Sequence, residues 1–437
     1  MSPETERTLV CVTYYLSGLG SWLIVSGLFA EGGYLALHTP EGLTLFAKLD
    51  FIIQFGNIAP AAIVLLASSW ARHNSSLLVC GLLGLALTTL LVLTQAWSVT
   101  VGGTSVILLG SAAAAGVVGT TSMVVLFPWA AQSPHSALAV GSLSAGVGSC
   151  GVATHLLSGF QGLALGRTPL LFSASTYFAL LGSIQLLSTA AFITILVKLP
   201  PAVYSSSESY QQLAGDDEDE FSRPSLVGGA DTAEGSAADG MGIAAAAADG
   251  AGDVTACATK ASWGRGAARL MRATRAKMPA YSSECNVPFV AIFISCFTEF
   301  ATPGLLPYLF APENRTTSRL FALTSGYLCS SVFGRVVTVV NGKWQRANAS
   351  LLFGIGVIVQ TAIFIYLLGA THGAVPPLPP QLAVPLVVLF SFAHGFIVTS
   401  TFQVAACSSV GCTQWAGLVN QAGCLTGSVL TFLLVQG

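Results

Sequence analysis

Residues 104–131 read TSVILLGSAAAAGVVGTTSMVVLFPWAA, 28 positions without one charged side chain. A bilayer is crossed by about 20 predominantly apolar residues in helical form. The run therefore predicts a membrane-spanning helix. Outward from it lie ten more runs of this kind, at 8–30, 45–68, 77–97, 137–163, 171–198, 287–311, 319–340, 349–370, 381–402 and 414–436. The leader before the first, MSPETER, is acidic rather than basic, and the apolar run is too long for a signal peptide, so a retained span is expected.

The charge distribution supports this reading. The chain has 437 residues, 53% hydrophobic and 8% charged. Of 36 Lys, Arg, Asp and Glu residues, 19 fall within 199–286, leaving 17 for the other 349 positions. A soluble domain dresses its surface with roughly 25% charged residues. Most of this surface must face lipid, which excludes a soluble enzyme, a nucleic-acid binder and a disulfide-rich secreted protein. The ten cysteines mostly sit inside apolar runs and read as small packing residues, with no metal or disulfide framework expected.

Orientation follows from Lys and Arg, which collect on the cytosolic side. One set of loops (31–44, 98–103, 164–170, 312–318 and 371–380) holds only Arg167 and Arg315, with Lys48 and Arg319 at span edges. The opposite side carries Arg7, Arg72, Lys198, Arg223, Lys343, Arg346 and the basic stretch 260–277. The expectation is an all-α polytopic membrane protein with eleven transmembrane helices in a 6+5 alternating-access bundle, N-terminus cytosolic and C-terminus extracellular. Its parts are a six-helix bundle (1–198), a largely disordered cytosolic loop (199–286, acidic then basic) and a five-helix bundle (287–437). Of three sequons, Asn314 then lies outside as a glycosylation site, whereas Asn74 and Asn348 lie inside. The stretch 260–277 surrounds Trp263, Leu270 and Met271 with six basic residues, suiting contact with the anionic inner leaflet.

Small residues recur at four-residue steps, as Ala112, Gly116, Thr120 and as Gly141, Ala145, Ser149, which lets helices approach closely. Prolines at 60, 128, 303, 307 and 385 are expected to interrupt spans. Ionisable and amide side chains at membrane depth mark function. Asp50, Gln54 and Asn57 share one helix face by spacing, Ser295, Glu299 and Thr302 repeat the pattern, and Gln403, Asn420 and Gln421 follow near the C-terminus. The first span aligns Trp22, Ser26 and Phe29, with Glu31 just beyond. Arg335, near the cytosolic end of its span, is expected to snorkel to the interface, and the isolated His155 and His394 to be packing residues.

These stripes predict a central cavity rich in amides and hydroxyls, with Trp22, Phe29, Phe127, Trp129 and Tyr308 at hand. No Arg/Lys cluster at membrane depth answers a phosphate, and no GxxxxGKS loop binds ATP. A neutral planar heterocycle fits, its rings stacked on aromatic faces and its edges read by amides.

Several segments carry a family resemblance: GSWLIVSGLFAE (20–31), PEGLTLFAKLDFIIQFGN (40–57), TSMVVLFPW (121–129), ASTYF (174–178), TPGLLP (302–307), QVAACSS (403–409) and QAGCLTGSV (421–429). In this order the chain resembles the eukaryotic riboflavin transporter family, solute carrier family 52. It departs from the usual pattern at Ser26, Met123, Glu299 and Pro303, where animal members have Asn, and at Gln403, where they have Lys. The resemblance implies a plasma-membrane carrier for riboflavin, facilitative or accelerated by acid, without enzymatic chemistry or cofactor. Stripes and matched segments together give the candidate ligand-binding set: Trp22, Ser26, Glu31, Gln54, Asn57, Ser122, Phe127, Thr302, Tyr308, Gln403 and Gln421. Asp50 and Glu299 are the candidates for proton coupling. Expected partners are a small-molecule substrate and the bilayer, with no nucleic acid and no obligate protein. The alternative is an equilibrative nucleoside transporter, whose Asp-x-x-x-Arg signature is interrupted here because Ser331 precedes Arg335 by four. A receptor without transport is the third reading.

Overall fold

Trp22 divides the first predicted span. In the computed structural model, which describes residues 3–66, 74–167, 169–198, 285–310, 316–340 and 342–436, helices α1 (Pro3–Ser21) and α2 (Leu23–Ala30) meet there at a bend of 52°. Trp22 leaves the helical well at φ −116°, ψ 10°, yet its carbonyl accepts the Ser26 N–H at 3.0 Å, so pairing resumes at once. A short α3 (Gly32–His38) follows. The second predicted span is also in two pieces, α4 (Leu45–Phe55) and α5 (Ile58–Leu66), parted at Gly56 and Asn57.

Next come α6 (Ser75–Ala96), α7 (Val106–Ala130), α8 (Ser136–Gln161), α9 (Ala174–Lys198) and α10 (Asn286–Ala301). The last four are α11 (Thr317–Val340), α12 (Gly342–Thr371), α13 (Pro380–Ser408) and α14 (Val410–Gln436). Among the described residues, eight of these helices, α6–α9 and α11–α14, are long and apolar enough to cross a membrane, or nine if α1 and α2 form one bent span. Outward faces carry exposed Leu91, Phe160, Leu186, Ile193, Phe333, Ile358 and Ile365, the surface of a protein solvated by lipid.

The prolines predict two of the breaks: Pro60 stands in the first turn of α5, and its missing N–H and its ring deprive the Gly56 carbonyl, four residues back, of its α-helical partner. Pro128 and Pro385 lie inside α7 and α13 without ending them, each removing one backbone N–H from its helix. Pro303 stands just past a helix end, after α10, ahead of the 3-10 turn Leu306–Leu309 that contains Pro307. At Gly56 helices α4 and α7 also come close. A Cβ on Gly56 would collide with the Gly116 backbone, and one on Gly116 with the Ile53 carbonyl, so α4 and α7 touch main chain to main chain.

Residues Met1–Pro201 and Met278–Gly437 make one compact unit. Within it α8 is buried along most of its length. It packs on α1 from the first half of the chain and on α11 and α13 from the second, while α14 packs on α4 and α7. At the α8–α11 contact a Cβ on Gly151 would meet the Leu328 carbonyl. On α8 the main-chain contacts are at Gly146 and Gly151, whereas Gly141 of the expected stripe faces the Val339 and Gln403 side chains.

Before α7, Glu41 is stapled to the helix start. Its Oε1 accepts the Ser105 N–H and its Oε2 the Ser105 hydroxyl, both at 2.8 Å. Burial opposes the charge, but these two donors prevail, with help from Lys48, and hold the Glu41 carboxyl below the usual range. The acidic run, the basic stretch 260–277, Arg72, Asn314 and Arg315 lie outside the described residues, as do the side chains of Lys343, Arg346 and Asn348.

Candidate functional site

The three predicted spans that carry the acid and aromatic stripes are the three that the structure breaks or shortens. Helix breaks are tolerated at membrane depth where they are buried in protein or line a cavity. Here a cavity lies beside them, with about 740 Å³ of empty space including its open mouth. Trp22, Ser26 and Phe29 line it from the α1–α2 break, Asp50 from α4, and Glu299, Phe300 and Pro303 from the end of α10. Tyr327, Ser331 and Arg335 face it from α11, His394 from α13 and Asn420 from α14. Both halves of the chain build the wall.

Glu299 is 5% exposed. Its Oε1 accepts the Ser391 hydroxyl at 3.0 Å and its Oε2 the Gln360 amide at 3.4 Å, while the Tyr327 hydroxyl donates to its backbone carbonyl at 2.7 Å. The Trp22 ring sits 5.7 Å from that of Phe300, tilted by 57°. Three buried polar atoms of the cavity residues have no hydrogen-bond partner: Trp22 Nε1, Asp50 Oδ2 and Arg335 Nε. Such atoms cost stability unless a ligand or water answers them.

Four candidates from the sequence line this cavity: Trp22, Ser26, Asp50 and Glu299. The others are placed elsewhere. Glu31 is fully buried between α2 and α3, where Oε1 accepts the Ser158 hydroxyl at 2.7 Å and Oε2 has no partner. The expected face shared by Asp50, Gln54 and Asn57 is cut by the helix break, and Asn57 Nδ2 instead donates to Gln54 Oε1 at 2.6 Å. Ser122 and Thr302 turn their hydroxyls back onto the carbonyls of Gly119 and Thr298. Phe127 stacks on Phe402 at 4.3 Å, and Tyr308 lies in the 3-10 turn. Gln403 is half-buried beside Gly141, and Gln421 is buried with both amide atoms unpartnered. Asn314 lies outside the described residues.

Arg335 corrects the snorkelling expectation. It is only 6% exposed, and its Nη1 crosses to α8 to donate to the Ser144 carbonyl at 3.4 Å and hydroxyl at 3.1 Å. The side chain lies on the face of α11 that meets α8, so it has no route along the helix to the interface. The sequence carried a signal for it: Tyr327, Ser331 and Arg335 stand at four-residue steps, the rule that located the other stripes. His394 also joins the wall, with Nδ1 3.0 Å from Ser295 Oγ. His155 is the packing residue expected, its ring nitrogens 2.9 Å from Gly151 O and 3.4 Å from Thr324 Oγ1.

A human protein described as solute carrier family 52, riboflavin transporter, member 3, is 33% identical over 93 residues, which is 21% of this chain and 19% of that protein. The matched stretch is thus about a fifth of that relative's length. The structure of the human organic anion transporter MFSD10 is similar in fold, with a TM-score of 0.50 and 12% identity, over 100% of this chain and 94% of that one. A family model described as solute carrier family 52, riboflavin transporter, matches residues 6–437. The chain, a multi-pass helical membrane protein, therefore belongs to the solute carrier family 52 riboflavin transporters.

Proposed function

We propose that this protein is a plasma-membrane carrier for riboflavin that works by alternating access, without enzymatic chemistry. The observation that carries the reading is a cavity walled by both halves of a chain whose family match runs nearly end to end. Trp22 and Phe300 offer ring faces to a planar heterocycle, while Ser26, Asn420 and the cavity acids offer groups for its edges. Eleven crossings, counting α1–α2, α4–α5 and α10 as spans, put the termini on opposite sides, and the Lys and Arg bias of the loops favours the N-terminus in the cytosol and the C-terminus outside. In this topology residues 199–286 form a cytosolic loop between a six-span and a five-span bundle, and Asn314 is glycosylated. Substrate and bilayer suffice as partners.

The test is uptake of labelled riboflavin by cells that lack their own riboflavin transport. Expression of the chain should produce saturable uptake that unlabelled flavins compete and nucleosides do not. Uptake competed by nucleosides but indifferent to flavins would overturn the substrate.

A further inference from the structure

Arg335, a residue of the cavity wall, is held in a cradle. One side of the cradle is Ser144, whose carbonyl and hydroxyl accept from Nη1. Ser144 is itself fixed, with its Oγ 2.7 Å from Thr399 Oγ1. The other side is Gly148, one turn further along α8, where any Cβ would collide with the Arg335 Cδ. The long side chain therefore lies flat across α8, and its Nε is left buried without a partner. Among the described residues no carboxylate lies within ion-pair distance of it, although Glu299 and Asp50 line the same cavity.

A buried cation pinned at one nitrogen and unanswered at another is arranged to meet an acceptor that arrives with the ligand. We propose that Arg335 is a ligand-reading residue that donates to the carbonyl edge of the substrate's heterocyclic ring. The inference rests on the riboflavin reading. The dioxopyrimidine end of a flavin presents two carbonyl acceptors flanking an N–H. Arg335 supplies the donor for a carbonyl, and the carboxyl groups across the cavity supply acceptors for the N–H. Gly148 is the positioning residue, because it alone leaves room for the arm to lie in this pose.

The experiment edits both partners. Binding of riboflavin and of its 2-thio and 4-thio analogues, whose sulfur is a weaker acceptor than oxygen, is measured by flavin fluorescence with the full chain in detergent. Wild type should prefer riboflavin over one of the thio analogues by about tenfold, the scale of one charge-assisted hydrogen bond. Arg335→Gln should weaken riboflavin about tenfold and bind all three alike. Gly148→Ala keeps the charge but displaces the arm, and should lose the same discrimination; it decides the matter if Arg335→Gln does not fold. A variant that binds flavin with wild-type discrimination overturns the inference and leaves Arg335 as a tie between α11 and α8. Wild type that binds no flavin overturns the riboflavin reading and this inference together.

Discussion

At the scale of single residues, Trp22 and Asn57 separate two roles that the sequence presents alike. Both stand in matched segments, and both invite a reading as ligand contacts. The structure turns Trp22 into the cavity wall, with Nε1 free to donate, whereas Asn57 donates to Gln54 within the helix break. Trp22→Ala should therefore weaken riboflavin binding about tenfold through loss of ring contact and one donor, at little cost in thermal stability. Asn57→Ala should do the reverse. It strands Gln54 Oε1, costing about 1–3 kcal/mol, seen as a lower melting temperature with a nearly unchanged dissociation constant. Flavin fluorescence and thermal melts in detergent on the same preparations check both. Helical periodicity placed Asp50, Gln54 and Asn57 on one face, but the break at Gly56, four residues before Pro60, turned the last away.

At the scale of elements, the helices were legible and their breaks only in part. Each apolar run of the sequence falls on a helix or a broken pair, because sustained hydrophobicity with internal backbone pairing has one solution in lipid. Pro60 accounts for the break at Gly56, four residues before it, but no proline marks the break at Trp22, while Pro128 and Pro385 break nothing. The contact of α4 with α7 leaves no room for a side chain, and Gly116→Val should abolish assembly, seen as loss of surface protein. The Glu41–Ser105 staple makes a milder and pH-dependent prediction. The folded carboxyl titrates below its unfolded value, so its contribution is present above the unfolded pKa of about 4.3 and disappears as pH falls through the folded value. Glu41→Gln should lower stability by about 1 kcal/mol at pH 7, and the gap to wild type should close as the pH drops below about 4.

At the scale of the whole molecule, the two cavity acids come from different halves of the chain. Asp50 comes from α4 and Glu299 from the end of α10, where Ser391 and Gln360 hold its carboxyl. If Glu299 carries a proton with the substrate, wild-type uptake should be faster at about pH 6 than at about pH 7.5, and Glu299→Gln should lose that difference. Uptake indifferent to pH in wild type would leave Glu299 a hydrogen-bonding residue alone. The sequence by itself determined the membrane class, the helical runs and the ordered family segments, since these depend on composition and local order. It also marked Trp22, Ser26, Asp50 and Glu299, because polar groups stand out against apolar spans. Only the tertiary structure decided that Arg335 turns inward, that Glu31 and Gln54 sit apart from the cavity, and that His394 joins it. The physical reason is that periodicity fixes which residues share a face, whereas the destination of that face is set by helices far away in the chain. Arg335 meets Ser144 across 191 residues, and no local pattern records that meeting.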